Sequence, residues 1–202
     1  MLTSITPLGE RGRGSRWATT VAAFALGAVA SGAVFGGAVG LIGAATPIGS
    51  LSTAARVGFL AAALALGLAL DLEVAGVRLP TPRRQVNEDW LYAYRGWVYG
   101  VSFGAELGLG VVTVVTASAV YLTFVASLLS ASPLVGAAIG GTFGLARAAS
   151  LMPARGVTTP NELFALGGTL RRWEPALGRI GIAAQATLSL VAWAAFFAGT
   201  AP

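Results

Sequence analysis

The stretch that decides the fold runs from Trp17 to Ala45 and reads WATTVAAFALGAVASGAVFGGAVGLIGAA. It contains no charged residue, and it is longer than the roughly 20 residues that an α-helix needs to cross the hydrocarbon of a bilayer. Arg11, Arg13 and Arg16 precede it. A signal peptide is an alternative, but its apolar part is only about 7 to 15 residues long. The pattern therefore favours a retained membrane anchor.

The rest of the chain has the same apolar character. Of its 202 residues, 55% are hydrophobic and 10% are charged, and the mean hydropathy is +0.76. These values lie outside the range of soluble globular domains. We predict an all-α transmembrane helix bundle of about five spans, which forms a single integral membrane domain over residues 1–202. The predicted spans are 17–45, 54–72, 96–129, 134–151 and 180–199, with polar linkers at 73–95 and 152–179.

The distribution of arginines predicts the orientation of these spans. Apart from Arg56, every arginine lies in the N-terminal segment, in 73–95 or in 147–179. Basic loops stay on the cytoplasmic side, so we predict a multi-pass protein of the inner (plasma) membrane with its N-terminus inside and its C-terminus outside. A re-entrant first or third segment would change the number of spans by one.

Two linker segments are predicted to form amphipathic helices at the membrane surface. Thr159, Pro160 and Glu162 have the spacing of a capping box with proline at the first helical position, and apolar residues follow at helical spacing. We expect this helix to lie flat. A second helix is predicted to start at 87–89 and to carry Trp90, Tyr94 and Trp97. Such aromatic residues mark the headgroup region more often than a ligand site.

Missing residue types exclude several classes of chemistry. The chain has no cysteine and no histidine, and all of its basic residues are arginines, so it has no lysine for a Schiff base. Disulfides, thiol relays and the usual zinc, copper and haem ligands are therefore absent. We predict no metal, no cofactor and no enzymatic activity. The formal charge of +5 is explained better by lipid and topology than by nucleic acid, because the arginines flank apolar spans.

Glycines recur at every fourth position in the first and fourth predicted spans. Small residues at this spacing allow the backbones of two transmembrane helices to approach closely. A substrate path lined by backbone is the alternative, and helix packing is the favoured interpretation. The helix-packing residues are Gly32, Gly36, Gly40, Gly136, Gly140 and Gly144.

Three polar side chains are predicted to lie at similar depth in the cytoplasmic third of the bundle. Glu106 falls inside an apolar run, Arg147 lies near the end of the fourth span, and Gln185 lies in the fifth. An ionisable group in a membrane span is costly and suggests a functional site, here a substrate or ion site. A static buried pair and two side chains that reach to the surface are the alternatives. Asp71, at the end of the second span, is expected to lie in headgroup water.

The stretch from Phe103-Gly104 to Arg147 resembles a helix pair of the cytochrome c biogenesis membrane proteins, the CcdA/DsbD transmembrane family. The resemblance covers about half of the chain. Where that family has cysteines and neighbouring prolines, this chain has Gly108-Leu109-Gly110-Val111-Val112-Thr113. The resemblance implies a related helix arrangement without thiol electron transfer, and no functional residue is carried over from the family.

These observations support two hypotheses about function. The first is a small, cofactor-free transporter that moves a small solute or ion through the site near Glu106, Arg147 and Gln185. Because five short spans leave little room for a cavity, a transporter of this size would be a homo-oligomer. The second is a non-catalytic membrane subunit or scaffold that packs against other membrane subunits through its glycine faces. Both hypotheses place the chain in the lipid bilayer, and the high alanine, glycine and arginine content suggests a bacterial source.

Overall fold

The computed structural model describes residues 5–73, 94–110 and 118–200, and this part of the chain is helical, without a strand. Single turns of 3-10 helix lie at Pro47–Ser50 and Met152–Gly156. The predicted helix at 87–89, most of the linker 73–95, and Val111 to Thr113 lie outside the described residues. Numbered along the described residues, the helices are α1 (Pro7–Gly12), α2 (Trp17–Ala45), α3 (Thr53–Asp71), α4 (Gly96–Leu109), α5 (Ala119–Ser130), α6 (Pro133–Ala149) and α7 (Pro160–Thr200).

Four segments of the described chain are long and apolar enough to cross a membrane, which supports the assignment as a membrane protein. They are α2, α3, α7, and α6 together with the turn that follows it to Gly156. Many large apolar side chains on these helices are exposed, for example Leu26 at 71% and Leu190 at 71%. Exposure of this kind is costly in water but ordinary against lipid.

Helix α2 is the centre of the fold, and it packs against α6 along the two glycine stripes. A Cβ atom added to Gly36 would overlap the carbonyl oxygen of Gly136, and one added to Gly32 would overlap that of Gly140. The residue numbers of the contacts increase along α2 while they decrease along α6, so the two helices are antiparallel. The backbones touch without intervening side chains, as in other small-residue interfaces within membranes.

Helix α4 lies on another face of α2 and runs parallel to it. Gly96 lies against the side chain of Thr20, and Gly104 lies against the backbone of Phe24 and Ala28. The register therefore advances in the same direction on both helices. As a result the N-termini of α2 and α4 lie side by side at the same end of the bundle.

A second pair of helices, α3 and α7, is antiparallel and is joined to the first group through α5. Near one end, Gly58 faces the ring of Phe196, and Gly199 faces Ala54. At the other end of α3, Gly67 lies against Gln185 of α7 and Ser118 of α5.

The third predicted span, 96–129, is two shorter helices instead of one long one. At about 1.5 Å per residue, the 14 residues of α4 span about 21 Å and the 12 residues of α5 about 18 Å. Neither alone crosses about 30 Å of hydrocarbon. Helix α4 ends at Gly110, whose φ of 70° lies in the left-handed region that favours glycine.

The predicted flat helix and the predicted fifth span form one continuous helix, α7, of 41 residues. At about 1.5 Å per residue it is about 60 Å long, roughly twice the thickness of the hydrocarbon layer. The predicted capping box is present at its start, where the carboxylate of Glu162 accepts hydrogen bonds from the backbone N–H groups of Thr158 (2.7 Å) and Thr159 (2.9 Å). These bonds, together with one from the Thr158 hydroxyl, lower the pKa of Glu162.

Candidate functional site

The structure places the three predicted site residues on three helices without joining them. Glu106 is half-buried on α4, and Arg147 is half-buried on α6, where its guanidinium carbon lies 5.6 Å from the centre of the Phe143 ring. Among the described residues, the recorded ion pair joins Arg13 to Glu10, not Arg147 to Glu106. Gln185 is the one of the three that is buried, and its hydrogen bonds go to other partners.

Gln185 belongs to a buried hydrogen-bond network with Ser118 and Asp71. Its side-chain amide donates to the carbonyl oxygen of Leu64 (3.2 Å) and to the hydroxyl of Ser118 (3.1 Å). The Ser118 hydroxyl in turn donates to one carboxylate oxygen of Asp71 at 2.6 Å, and the Ser118 backbone N–H donates to the other at 2.9 Å. The network thus connects α3, α5 and α7.

This network accounts for the start of α5 inside the bundle. The first N–H groups of a helix have no partner within the helix, and such groups are costly to leave unpaired in an apolar interior. Asp71 supplies an acceptor where α5 begins, and its negative charge is favourable at a helix N-terminus. The carboxylate of Asp71 is half-exposed as well as bonded to another helix, and the expectation that it lies in headgroup water stays a prediction.

Gly67 makes room for the network. A Cβ atom at this position would lie 2.9 Å from the amide nitrogen of Gln185 and 2.9 Å from the hydroxyl oxygen of Ser118. Both distances are too short for a carbon atom beside a polar atom. A larger residue would therefore push Gln185 and Ser118 apart.

A second polar cluster surrounds Glu10, which is fully buried although it precedes the first span. One carboxylate oxygen accepts from the guanidinium of Arg13 (2.6 Å) and from the hydroxyl of Tyr99. The other oxygen accepts from the hydroxyl of Thr20 (2.6 Å). These bonds tie the short helix α1 to the first turns of α2 and α4.

Arg13 is held in its charged form within this cluster. Burial alone would lower the pKa of its guanidinium, but the hydrogen bonds to Glu10 and Tyr99 outweigh burial and raise the pKa above its ordinary value. The guanidinium also lies over the Tyr99 ring, 5.7 Å from its centre. Such a position adds a favourable interaction between the cation and the face of the ring.

The Glu10 cluster is not predicted from the sequence. The available signal is the segment Thr6-Pro7, which is typical of a helix start, followed by a single acid among the arginines that precede α2. In the structure, Thr6 is the N-cap and its hydroxyl accepts from the backbone N–H of Gly9 at 3.1 Å. Helix α1 is further anchored by the bond from the Leu8 N–H to the Val157 carbonyl.

Both clusters are hydrogen-bonded assemblies of carboxylate, hydroxyl, amide and guanidinium groups. Within residues 5–73, 94–110 and 118–200, no three carboxylate side chains come close enough to hold a metal ion. What these groups do in the structure is cap helices and join them. The expectation of no metal and no cofactor stays a prediction.

Comparison with known proteins provides the family assignment. Methylamine utilization protein MauF of Paracoccus versutus is 32% identical over 200 residues, which cover 95% of this chain and 72% of the relative. The protein of the same name from Methylophilus methylotrophus is 29% identical over 181 residues, which cover 86% of this chain and 60% of the relative. No protein-family model matches the chain, and no solved structure matches it.

These relatives correct two predictions made from the sequence. The resemblance to the CcdA/DsbD family is wrong, because the similarity to the two methylamine utilization proteins extends over almost the whole chain. The likeness to that family rested on alanine- and glycine-rich helices, which are common to many membrane bundles. The small-solute transporter is also wrong as a description of function, since both relatives are named for methylamine utilization. The chain belongs to the family of methylamine utilization protein MauF.

Proposed function

We propose that this chain is a membrane protein that supports methylamine utilization, and that it acts in the production of active methylamine-oxidising enzyme. The observation that carries this proposal is the 32% identity to a methylamine utilization protein over 95% of the chain. The match covers 72% of the relative. The proposal does not extend to whatever the rest of the relative does.

An accessory role fits the residues better than catalysis does. The chain contains no cysteine and no histidine, and without lysine it has no amine to form a Schiff base. It therefore lacks the residues that most often serve as nucleophile, general base or metal ligand in amine chemistry. The buried carboxylate of Glu10 and the half-buried carboxylate of Asp71 are occupied by hydrogen bonds within the protein. We infer that the oxidation of methylamine takes place on another protein.

Growth tests this proposal. Deletion of the gene for this chain should prevent growth of its host on methylamine as the sole nitrogen source, while growth on ammonium continues. A copy of the wild-type gene should restore growth. Undiminished growth of the deletion strain on methylamine would contradict the proposal.

We also propose that the protein is a multi-pass protein of the inner membrane with its N-terminus in the cytoplasm. Helix α1, the start of α4 and the turn Met152–Gly156 lie at one end of the bundle, since Leu8 bonds to Val157 and Gly96 lies against Thr20. This end carries most of the described arginines. The turn Pro47–Ser50 lies at the other end, as does Ser130, whose carbonyl accepts from Arg56 at 3.1 Å.

Reporter fusions test this orientation. Alkaline phosphatase is active only outside the cytoplasm, so fusions at Gly49 and Ser132 should be active and fusions at Arg84 and Arg155 inactive. The matched fusions differ only in their position along the chain. Activity at Arg155 together with inactivity at Gly49 would reverse the orientation.

A further inference from the structure

A cavity of about 700 Å³ opens at the end of the bundle where α2 and α4 begin. Three arginines line it: Arg13 and Arg16 from the approach to α2, and Arg95 from the approach to α4. Ser15, Thr19 and Thr20 also line it, although the hydroxyl of Thr20 is already donated to Glu10. Guanidinium and hydroxyl groups are the side-chain donors that proteins use to bind phosphate.

Among the described residues, the charged side chains that line this cavity are all positive. Glu10 lies beneath it and is already bonded to Arg13 at 2.6 Å. Within the described residues, the side chains of Arg16 and Arg95 form no hydrogen bond or ion pair, and both residues are exposed. Two guanidinium groups therefore face the cavity without a negative partner among these residues.

The backbone adds to this positive field. Because α2 and α4 are parallel, their N-termini lie together, and each carries partial positive charge. The N-cap residues are Arg16 and Arg95, and neither makes a side-chain cap bond. Among the described residues, the first-turn N–H groups of both helices thus lack an acceptor from the N-cap side chain. Such an arrangement is unfavourable in isolation and is relieved by an anion.

The surroundings of the cavity are those of a membrane surface. Tyr94 and Trp97 line it, and each is 55% exposed. Tyrosine and tryptophan are enriched where headgroups meet hydrocarbon. Farther along the same two helices, Leu26 and Val101 expose apolar side chains, along which an acyl chain can lie. Basic pockets between transmembrane helices bind anionic lipid headgroups in this manner.

We propose that this cavity binds a phosphate group, and that its source is the headgroup of an anionic phospholipid. Arg16 and Arg95 hold the phosphate oxygens from two sides, and the N-termini of α2 and α4 add N–H donors. The bound lipid offsets the repulsion between the two helix starts. This proposal is independent of a role in methylamine utilization, because its measurement involves only the purified protein and lipid.

Native mass spectrometry of the purified chain tests the proposal. The protein is offered phosphatidylglycerol and phosphatidylcholine with the same acyl chains. We expect the wild-type protein to retain one phosphatidylglycerol in preference to phosphatidylcholine. The double variant R16Q/R95Q should bind it at least about tenfold more weakly, since it loses two charge-assisted contacts. Equal retention of the two lipids by the wild-type protein would overturn the proposal.

The matched control is R11Q/R155Q, which removes the same charge from two exposed arginines at the same end of the bundle but outside the cavity. It should bind phosphatidylglycerol within about twofold of the wild type. If the control and R16Q/R95Q lose affinity equally, the attraction is a diffuse surface effect and the proposal fails. The variant R16K/R95K keeps the charge and should recover much of the affinity, which also separates loss of binding from loss of folding.

Inorganic phosphate distinguishes the two sources of the phosphate group. Phosphate added at millimolar concentration should leave phosphatidylglycerol bound to the wild-type protein if the lipid is the natural ligand. Displacement of the lipid from the wild-type protein would assign the cavity to a soluble phosphate compound, which keeps the phosphate site but overturns the lipid as its source.

Discussion

Replacing Gly140 by alanine is expected to lower the free energy of unfolding of the bundle by about 3 kcal/mol, at the upper end of the usual cost of overpacking. The added Cβ atom would overlap the carbonyl oxygen of Gly32 and lie 3.1 Å from the Cα atom of Gly36. Both neighbours are backbone atoms, which cannot rotate away as a side chain can. The two helices must therefore separate along their whole contact. Unfolding in mixed detergent micelles, followed by tryptophan fluorescence, measures the effect.

Gly181→Ala is the matched control for this prediction. Gly181 lies in α7, and a Cβ atom there would meet nothing within 4 Å. Alanine is the better helix former by up to about 1 kcal/mol, so this variant should be unchanged or slightly more stable. The two variants make the same chemical change and should have opposite effects. Equal stability of the Gly140→Ala and Gly181→Ala variants would contradict the close glycine contact between α2 and α6.

Replacing Glu10 by alanine is expected to release helix α1 from the bundle. The substitution removes the acceptor for Arg13, Thr20 and Tyr99 together. Loss of one member of a buried charged pair costs about 3 kcal/mol or more. The segment should therefore open on the order of 100-fold more often than in the wild type. Trypsin cleaves after arginine, so cleavage at Arg11 and Arg13 should become faster by a similar factor.

Glu174→Ala is the control for the release of α1, because Glu174 is exposed on α7. The Glu174→Ala variant should have the same cleavage pattern as the wild type. Glu10→Gln keeps the shape of the side chain and one acceptor oxygen, so its cleavage rate should fall between that of the wild type and that of Glu10→Ala. If Glu10→Ala is cleaved at the wild-type rate, the buried cluster does not hold α1 in place.

Much of the helical arrangement can be predicted from the sequence. Apolar runs between polar segments place α2, α3 and α6 to within a few residues, because the cost of burying polar backbone in lipid leaves few alternatives to helices. The glycine stripes on α2 and α6 have a period of four, and in the structure they face each other. Such features are local or periodic, and a single sequence contains them.

The rest depends on contacts between distant parts of the chain. The break after Gly110 lies within an apolar run, and the start of α5 is stabilised by Asp71, which is 47 residues away from Ser118. Composition cannot show this pairing, so the sequence predicts one long span there. Similarly, the arginines within 171–179 mark where the predicted membrane span begins, but they do not interrupt the helix. Helix α7 continues through them.

The candidate site could be predicted only in part. Gln185 stands out as a polar residue in an apolar helix, and in the structure it is buried. The sequence does not predict its partners Ser118 and Asp71, because a hydroxyl or carboxylate near a helix end usually bonds to nearby backbone or to water. The burial of Glu10 is not predicted, because an acid among arginines before a span is ordinarily exposed. Its burial follows from the packing of α1 against α2 and α4.

The claim that the chain acts in the production of the methylamine-oxidising enzyme is tested most directly in extracts of broken cells. In such extracts methylamine reaches the enzyme without crossing a membrane. We expect methylamine consumption to be absent from extracts of the deletion strain and to return when the wild-type gene is restored. Wild-type consumption in extracts of the deletion strain, together with loss of growth on methylamine, would contradict this role.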